Sequence, residues 1–167
     1  MPELNFAQCI GLVAFVVGAS SFFHQDGKRF RLHLVFFQII LFSHFLLMDA
    51  LAPAIGCGIS ALRSYASTRT QSTSVLVFFI ILLWVMGLPN VQHHYELLPL
   101  FGTSVATWAL FKAEGIQLRM LIMFNSFCWL INNLLLGSIG GIMMETTFIA
   151  MNIFTISKML KARKAVM

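Results

Sequence analysis

The feature that most constrains this chain is the placement of its eleven Lys and Arg residues among seven apolar segments. The segments run 5–23, 32–48, 51–66, 74–88, 97–111, 118–136 and 139–157, and the basic residues occupy alternate gaps. Lys28, Arg29 and Arg31 follow the first segment, and Arg63 and Arg69 lie around the end of the third. Lys112 and Arg119 flank the fifth-to-sixth connection, and Lys158, Lys161, Arg163 and Lys164 follow the last segment. The other connections carry none. Lys and Arg are retained on the cytoplasmic side during insertion. The alternation therefore predicts seven transmembrane helices with the N-terminus outside and the C-terminus inside.

Composition agrees with an all-α membrane protein. With 59% hydrophobic and 10% charged residues and a mean hydropathy of +0.86, a soluble globular domain is excluded. A span takes about 20 residues, because a helix rises ~1.5 Å per residue through ~30 Å of hydrocarbon. Seven spans in 167 residues leave only short turns, so a single transmembrane domain is expected. The formal charge of +5 is accounted for by helix ends that meet anionic headgroups, not by nucleic-acid binding. The lipid bilayer is thus the first expected partner. The first span has no basic leader before it and reads as a retained helix.

Metal and redox chemistry find no support. Cys9, Cys57 and Cys128 lie inside apolar segments without CxxC spacing and read as small buried hydrophobes. His93 and His94, with only Glu96 nearby, read as a solvated turn rather than a metal site. No cofactor is expected. No hydrolase, zinc-protease, P-loop or paired-carboxylate motif occurs, so an enzyme is not expected.

The chain matches itself at an offset of 88 residues: Phe23, Gly27, Arg31 and Phe36 meet Phe111, Gly115, Arg119 and Phe124, with Asp26 opposite Glu114. Leu12, Val17, Leu46 and Leu47 also meet Leu100, Val105, Leu134 and Leu135. A three-helix repeat has an odd number of spans, so a parallel second copy needs one extra helix to restore direction. The almost wholly apolar segment 74–88 supplies it. The predicted layout is 3+1+3: a first repeat at 5–66, a linker helix at 74–88, a second repeat at 97–157 and a cytoplasmic basic tail at 158–167. Parallel repeats about an axis along the membrane normal are a transporter architecture.

Polar side chains inside spans are costly in hydrocarbon and usually face a cavity or another helix. They concentrate on the second, third, sixth and seventh segments: Gln38, Ser43 and His44; Ser60, Arg63 and Ser64; Asn125, Asn132 and Asn133; Glu145, Thr146, Thr147 and Asn152. The offset pairs His44 with Asn132 and Ser64 with Asn152, which predicts a polar waist on the axis. A single interhelical hydrogen bond is the plainer reading of His44. Arg63 and Glu145 fall on counterpart helices and are candidates for gating or coupling, as an ion pair across the axis with charge reversal expected to rescue in part. Snorkelling of Arg63 to the headgroups is the alternative. Trp84 reads as an interface anchor, and Trp108 and Trp129 as packing or ligand-stacking residues. Gly137, Gly140 and Gly141 read as the turn into helix seven and its close packing on helix six.

The stretches HFLLMD (44–49), ELLPLFGTSVATWALF (96–111) and CWLINNLLLGSIGGIMMETTFIAMN (128–152) resemble the YgjV-type bacterial inner-membrane proteins. That resemblance covers nearly the whole chain and implies location and topology rather than chemistry. More distantly, the second half is similar to the SWEET, semiSWEET and PQ-loop transporters. In those, a Trp on the middle helix and an Asn on the last helix of a repeat line the solute pocket, which implies that role for Trp129 and Asn152. The four prolines, Pro2, Pro53, Pro89 and Pro99, lie outside the first helix of the first repeat, and no Pro-Gln pair occurs. A proline hinge is therefore not implied.

These readings converge on a small-solute transporter of the inner membrane, with an unidentified small polar solute as its second partner and homo-oligomerisation left open. His44, Ser64, Trp129, Asn132 and Asn152 are the candidate substrate-binding residues, and Arg63 and Glu145 the candidate gating residues. The alternatives are a non-transporting binding or sorting protein, or a structural subunit of a membrane complex on the same fold. An intramembrane enzyme would have only His44 and Glu145 to work with.

Overall fold

A computed structural model describes residues 6–20, 27–66, 68–113 and 115–166, without the side chains of 27–31, 162 and 164–166. Phe23, Asp26 and Glu114 of the sequence repeat lie outside the described residues. Seven helices follow one another: α1 (Phe6–Ser20), α2 (Gly27–Leu47), α3 (Leu51–Ala66), α4 (Thr73–Gly87), α5 (Leu97–Lys112), α6 (Gly115–Leu136) and α7 (Ile139–Val166). Among the described residues there is no strand. Pro89 ends α4 in a short 3₁₀ turn, Leu88–Asn90, and a second such turn, His94–Glu96, leads into α5.

Each apolar segment forms one helix, with a difference at the basic ends. The helices α2 and α6 begin at Gly27 and Gly115, and α7 runs on to Val166. The basic clusters expected as turns and tail are therefore helical turns. Lys and Arg are good helix formers, and the α7 cluster lies near that helix's C-terminus, where cations are favoured. Thr73–Asn90, Gly115–Leu136 and Ile139–Lys161 are long and apolar enough to cross a membrane, whereas Phe6–Ser20 and Leu32–Leu47 are shorter apolar helices. At 16 residues each, α3 and α5 are roughly 24 Å long, short of ~30 Å of hydrocarbon.

Each helix packs on its chain neighbours, α1 packs on α7, and α3 also touches α5 directly behind α4. The helices thus close a ring. Burial is reversed relative to a water-soluble bundle. Phe6, Val16, Phe36, Phe78, Val85 and Phe154 are exposed, whereas Gln8, His44, Arg63, Asn132, Asn133, Glu145 and Asn152 are buried. Folding in an apolar solvent requires this distribution, since polar groups find partners only inside.

The turns α2–α3 and α6–α7 have the same construction. Asp49 and Gly137 adopt positive φ, 58° and 75°. The next amide reaches back five residues in both: Ala50 N–H to the Phe45 carbonyl at 3.0 Å, Ser138 N–H to the Asn133 carbonyl at 2.9 Å. This is the left-handed C-terminal cap that Gly, and less often Asp or Asn, can adopt. Every position of one turn equals the other plus 88.

At this tight-turn end, α1 is fastened to α7. The Gln8 side-chain amide donates to the Gly137 carbonyl at 2.8 Å and accepts from the Ile139 amide at 3.0 Å. A Cβ on Gly140 would lie 2.2 Å from the Gly11 carbonyl carbon and oxygen, so the two backbones touch. Gly140 thus serves the α1–α7 contact rather than the expected α6–α7 contact, which Gly141 makes against Asn133.

Candidate functional site

Five of the helices leave a central cavity of about 310 Å³, at the small end of the ~300–1,000 Å³ usual for small-molecule sites. Its residues come from the middle stretches of these five helices. Leu34, Phe37, Gln38 and Leu41 come from α2; Cys57, Ser60 and Arg63 from α3; Thr103, Ala106 and Leu110 from α5. From α6 come Leu118, Arg119, Ile122, Asn125, Ser126 and Trp129, and from α7 Met144, Glu145, Phe148 and Asn152. The lining stops at Leu41, Trp129 and Met144, one or two turns short of the tight-turn end. That end is sealed. Phe45 packs on Trp129 with ring centroids 5.6 Å apart, and Phe45, Ala54, Cys57, Trp129 and Met144 share one apolar cluster.

Arg63 is 7% exposed and does not snorkel. Its guanidinium turns towards α5, where Nη1 donates to the Thr107 hydroxyl and, at 3.4 Å, to the Thr103 carbonyl. Glu145 is 5% exposed and faces Ser126 and Cys57. The two charges line one cavity without an ion pair: among the described residues the one contact of that kind within 4.0 Å is His93 with Glu96. The expected pairing across the axis is corrected here, because the α5 hydroxyl and carbonyl take up the Arg63 side chain. Four cavity side chains keep a buried polar atom without a hydrogen-bond partner: Arg63 Nε, Asn125 Oδ1, Glu145 Oε2 and Asn152 Oδ1. Asn152 Nδ2 donates to the Phe148 carbonyl at 2.9 Å, which leaves its oxygen as the open group.

The remaining candidates separate cleanly. Trp129 lines the cavity and is held by its indole N–H on the Thr103 hydroxyl at 3.1 Å. His44, Ser64 and Asn132 are buried but are not lining residues. His44 belongs to the sealed end, with Nδ1 2.7 Å from the Ala7 carbonyl and Nε2 2.7 Å from the Ser138 hydroxyl. A carbonyl only accepts, so Nδ1 carries the proton and the Ser138 hydroxyl donates to Nε2. The Gly141 amide in turn donates to the Ser138 oxygen at 3.2 Å. The expected waist at His44 and Asn132 thus lies beyond the closed floor of the cavity. Trp108 is exposed and outside the lining, and Trp84 donates to the Ser104 hydroxyl at 2.9 Å, tying α4 to α5.

Sequence reasoning passed over α5 and α1. Thr103 and Thr107 are spaced i, i+4, which puts both on one helix face, and they hold Arg63 and Trp129. That spacing was a visible signal. Gln8, alone in an apolar stretch, was another.

Comparison with known proteins gives a consistent result. A family model described as bacterial inner membrane protein, Imp-YgjV, matches residues 5–163. The inner membrane protein YgjV of Escherichia coli (strain K12) is 37% identical over 164 residues, covering 98% of this chain and 90% of that protein. No solved structure matches the chain.

Proposed function

This chain belongs to the YgjV family of bacterial inner-membrane proteins, and from that premise we propose that it is a small-solute transporter working by alternating access. The observation that carries this reading is the half-open cavity: buried polar atoms without partners lie in a chamber that stops at a sealed floor. Unpaired polar groups inside a membrane protein are expensive and mark solute pathways.

The reading includes a 3+1+3 arrangement with α4 as the linker between two parallel repeats. Support comes from the cavity itself. Adding 88 to Leu34, Phe37, Gln38 and Leu41 gives Ile122, Asn125, Ser126 and Trp129, and adding it to Cys57 and Ser60 gives Glu145 and Phe148; all twelve line the chamber. The duplicate turns at Asp49 and Gly137 support the same symmetry. With the positive-inside rule, the N-terminus is periplasmic, the C-terminus cytoplasmic, and the cavity belongs to an inward-open state. Arg119, exposed on the second turn of α6, then stands at its mouth. Lipid surrounds the bundle, and no catalytic step is assigned to it.

Counterflow in proteoliposomes tests the reading. A solute that binds the purified protein and also exchanges across the bilayer is the expected result. A solute that binds without crossing supports the alternative of a binding or sorting protein on the same fold.

A further inference from the structure

We propose that the chamber takes a zwitterionic solute with an apolar body, its anionic group on Arg63 and its cationic group on Glu145 and Asn152. This rests on reading the chamber as the solute site, and it adds the chemical class of the solute.

Charge sets the first requirement. Arg63 and Glu145 are both more than nine-tenths buried, line one chamber and are not paired with each other. Arg63 is held only by neutral oxygens of Thr103 and Thr107, with Nε open. Glu145 keeps Oε2 open, and Asn152 on the same helix keeps Oδ1 open. The chamber therefore has a donor pole on α3 and an acceptor pole on α7. A buried charge without an opposite partner carries a large desolvation cost. A buried carboxylate without a partner takes up a proton, whereas a guanidinium keeps its charge. A solute anion therefore supplies the counter-ion that Arg63 lacks, and a cationic group beside Glu145 favours its ionised form. A solute with both charges engages both poles at once.

The walls supply the rest of the specification. Phe37, Leu41, Trp129, Met144 and Phe148 line the same space. Such a surface favours an aliphatic or aromatic body over a hydroxylated one. Donor geometry agrees with the poles: a guanidinium binds a carboxylate through paired N–H groups, and an ammonium brings N–H donors to carboxylate and amide oxygens.

The test uses three probes that share the leucine side chain on the reconstituted, unmodified protein: L-leucine, leucinamide (cation only) and N-acetyl-leucine (anion only). Leucine is expected to bind, and each singly charged analogue to bind roughly 30-fold or more weakly, the usual penalty for an unpaired buried charge. Arg63→Gln should abolish the preference over leucinamide, and Glu145→Gln the preference over N-acetyl-leucine. Equal binding of all three probes, a preference for a singly charged one, or binding of none overturns the assignment, whatever the variants do. Counterflow on the same panel separates this from the transport reading. Leucine that binds but does not exchange sinks transport and keeps the class. Exchange of a solute lacking one of the two charges does the reverse.

Discussion

The bundle has two ends built from similar residues with opposite results. At the tight-turn end, Gln8, His44 and Ser138 are buried and spend their polar atoms on one another and on backbone groups. In the open half, Arg63, Glu145 and Asn152 are as deeply buried yet keep polar atoms free along a cavity. Beyond the cavity floor, Asn132 and Asn133 also keep their side-chain amide atoms without a hydrogen-bond partner, so neither burial nor an unpartnered polar atom alone marks a site. Arg63, Glu145 and Asn152 differ in that their unpartnered atoms line a cavity. The tight-turn end fastens α1 to α2 and α7, and the open half holds the chamber.

Substitutions at both ends break or sharpen that contrast. The largest effect is expected at the fastening. Gly140→Ala puts a Cβ 2.2 Å from the Gly11 carbonyl, a backbone atom that cannot swing aside, and monodisperse protein in detergent should be lost. Gly56→Ala, whose Cβ would meet Trp129 at 3.7 Å, should be recovered normally. Second, His44→Ala should cost about 2–5 kcal/mol in an unfolding titration, because the Ser138 hydroxyl and Ala7 carbonyl lose their partner in a buried site. Solute affinity of the folded fraction should not change.

Third, Glu145→Gln should leave stability unchanged or raise it, since an unpaired buried acid costs folding energy rather than supplying it, and should abolish solute exchange. The swapped double variant, Arg63→Glu with Glu145→Arg, should not restore exchange, because the two side chains are not paired. The smallest effect is expected at Trp84→Phe, which removes one hydrogen bond to Ser104. A loss of about 0.5–1.5 kcal/mol without change in exchange is expected. An exchange defect there would mean that α4 is more than a linker.

The seven helices were legible because hydrocarbon demands continuous apolar stretches, and the starts at Leu51 and Ile139 coincide with the segments read from sequence. The basic ends were less legible: nothing in Lys28–Arg31 or Lys158–Lys164 interrupts a helix, so composition marked the membrane boundary and not the helix boundary. Of the candidate residues, Arg63, Trp129, Glu145 and Asn152 line the chamber, whereas His44, Ser64 and Asn132 do not. All stood out as polar or aromatic groups in apolar segments. Their separation depends on how far along the axis the bundle closes. That is decided by side-chain size at Phe45 and by the backbone contact at Gly11 and Gly140. Helix faces were equally hidden, because α2, α5 and α7 have no amphipathic stripe to orient them.

The central claim is that the chamber is reached from both sides of the membrane in turn, and a thiol placed by Gln38→Cys, at a half-buried residue of its wall, reports this directly. In a background with Cys9, Cys57 and Cys128 replaced by Ser, small charged methanethiosulfonates that cannot cross the bilayer are applied to sealed vesicles of each orientation. Modification of that thiol from both faces, slowed from each by bound solute, is the predicted result. Modification from one face alone, or from neither, would contradict the account.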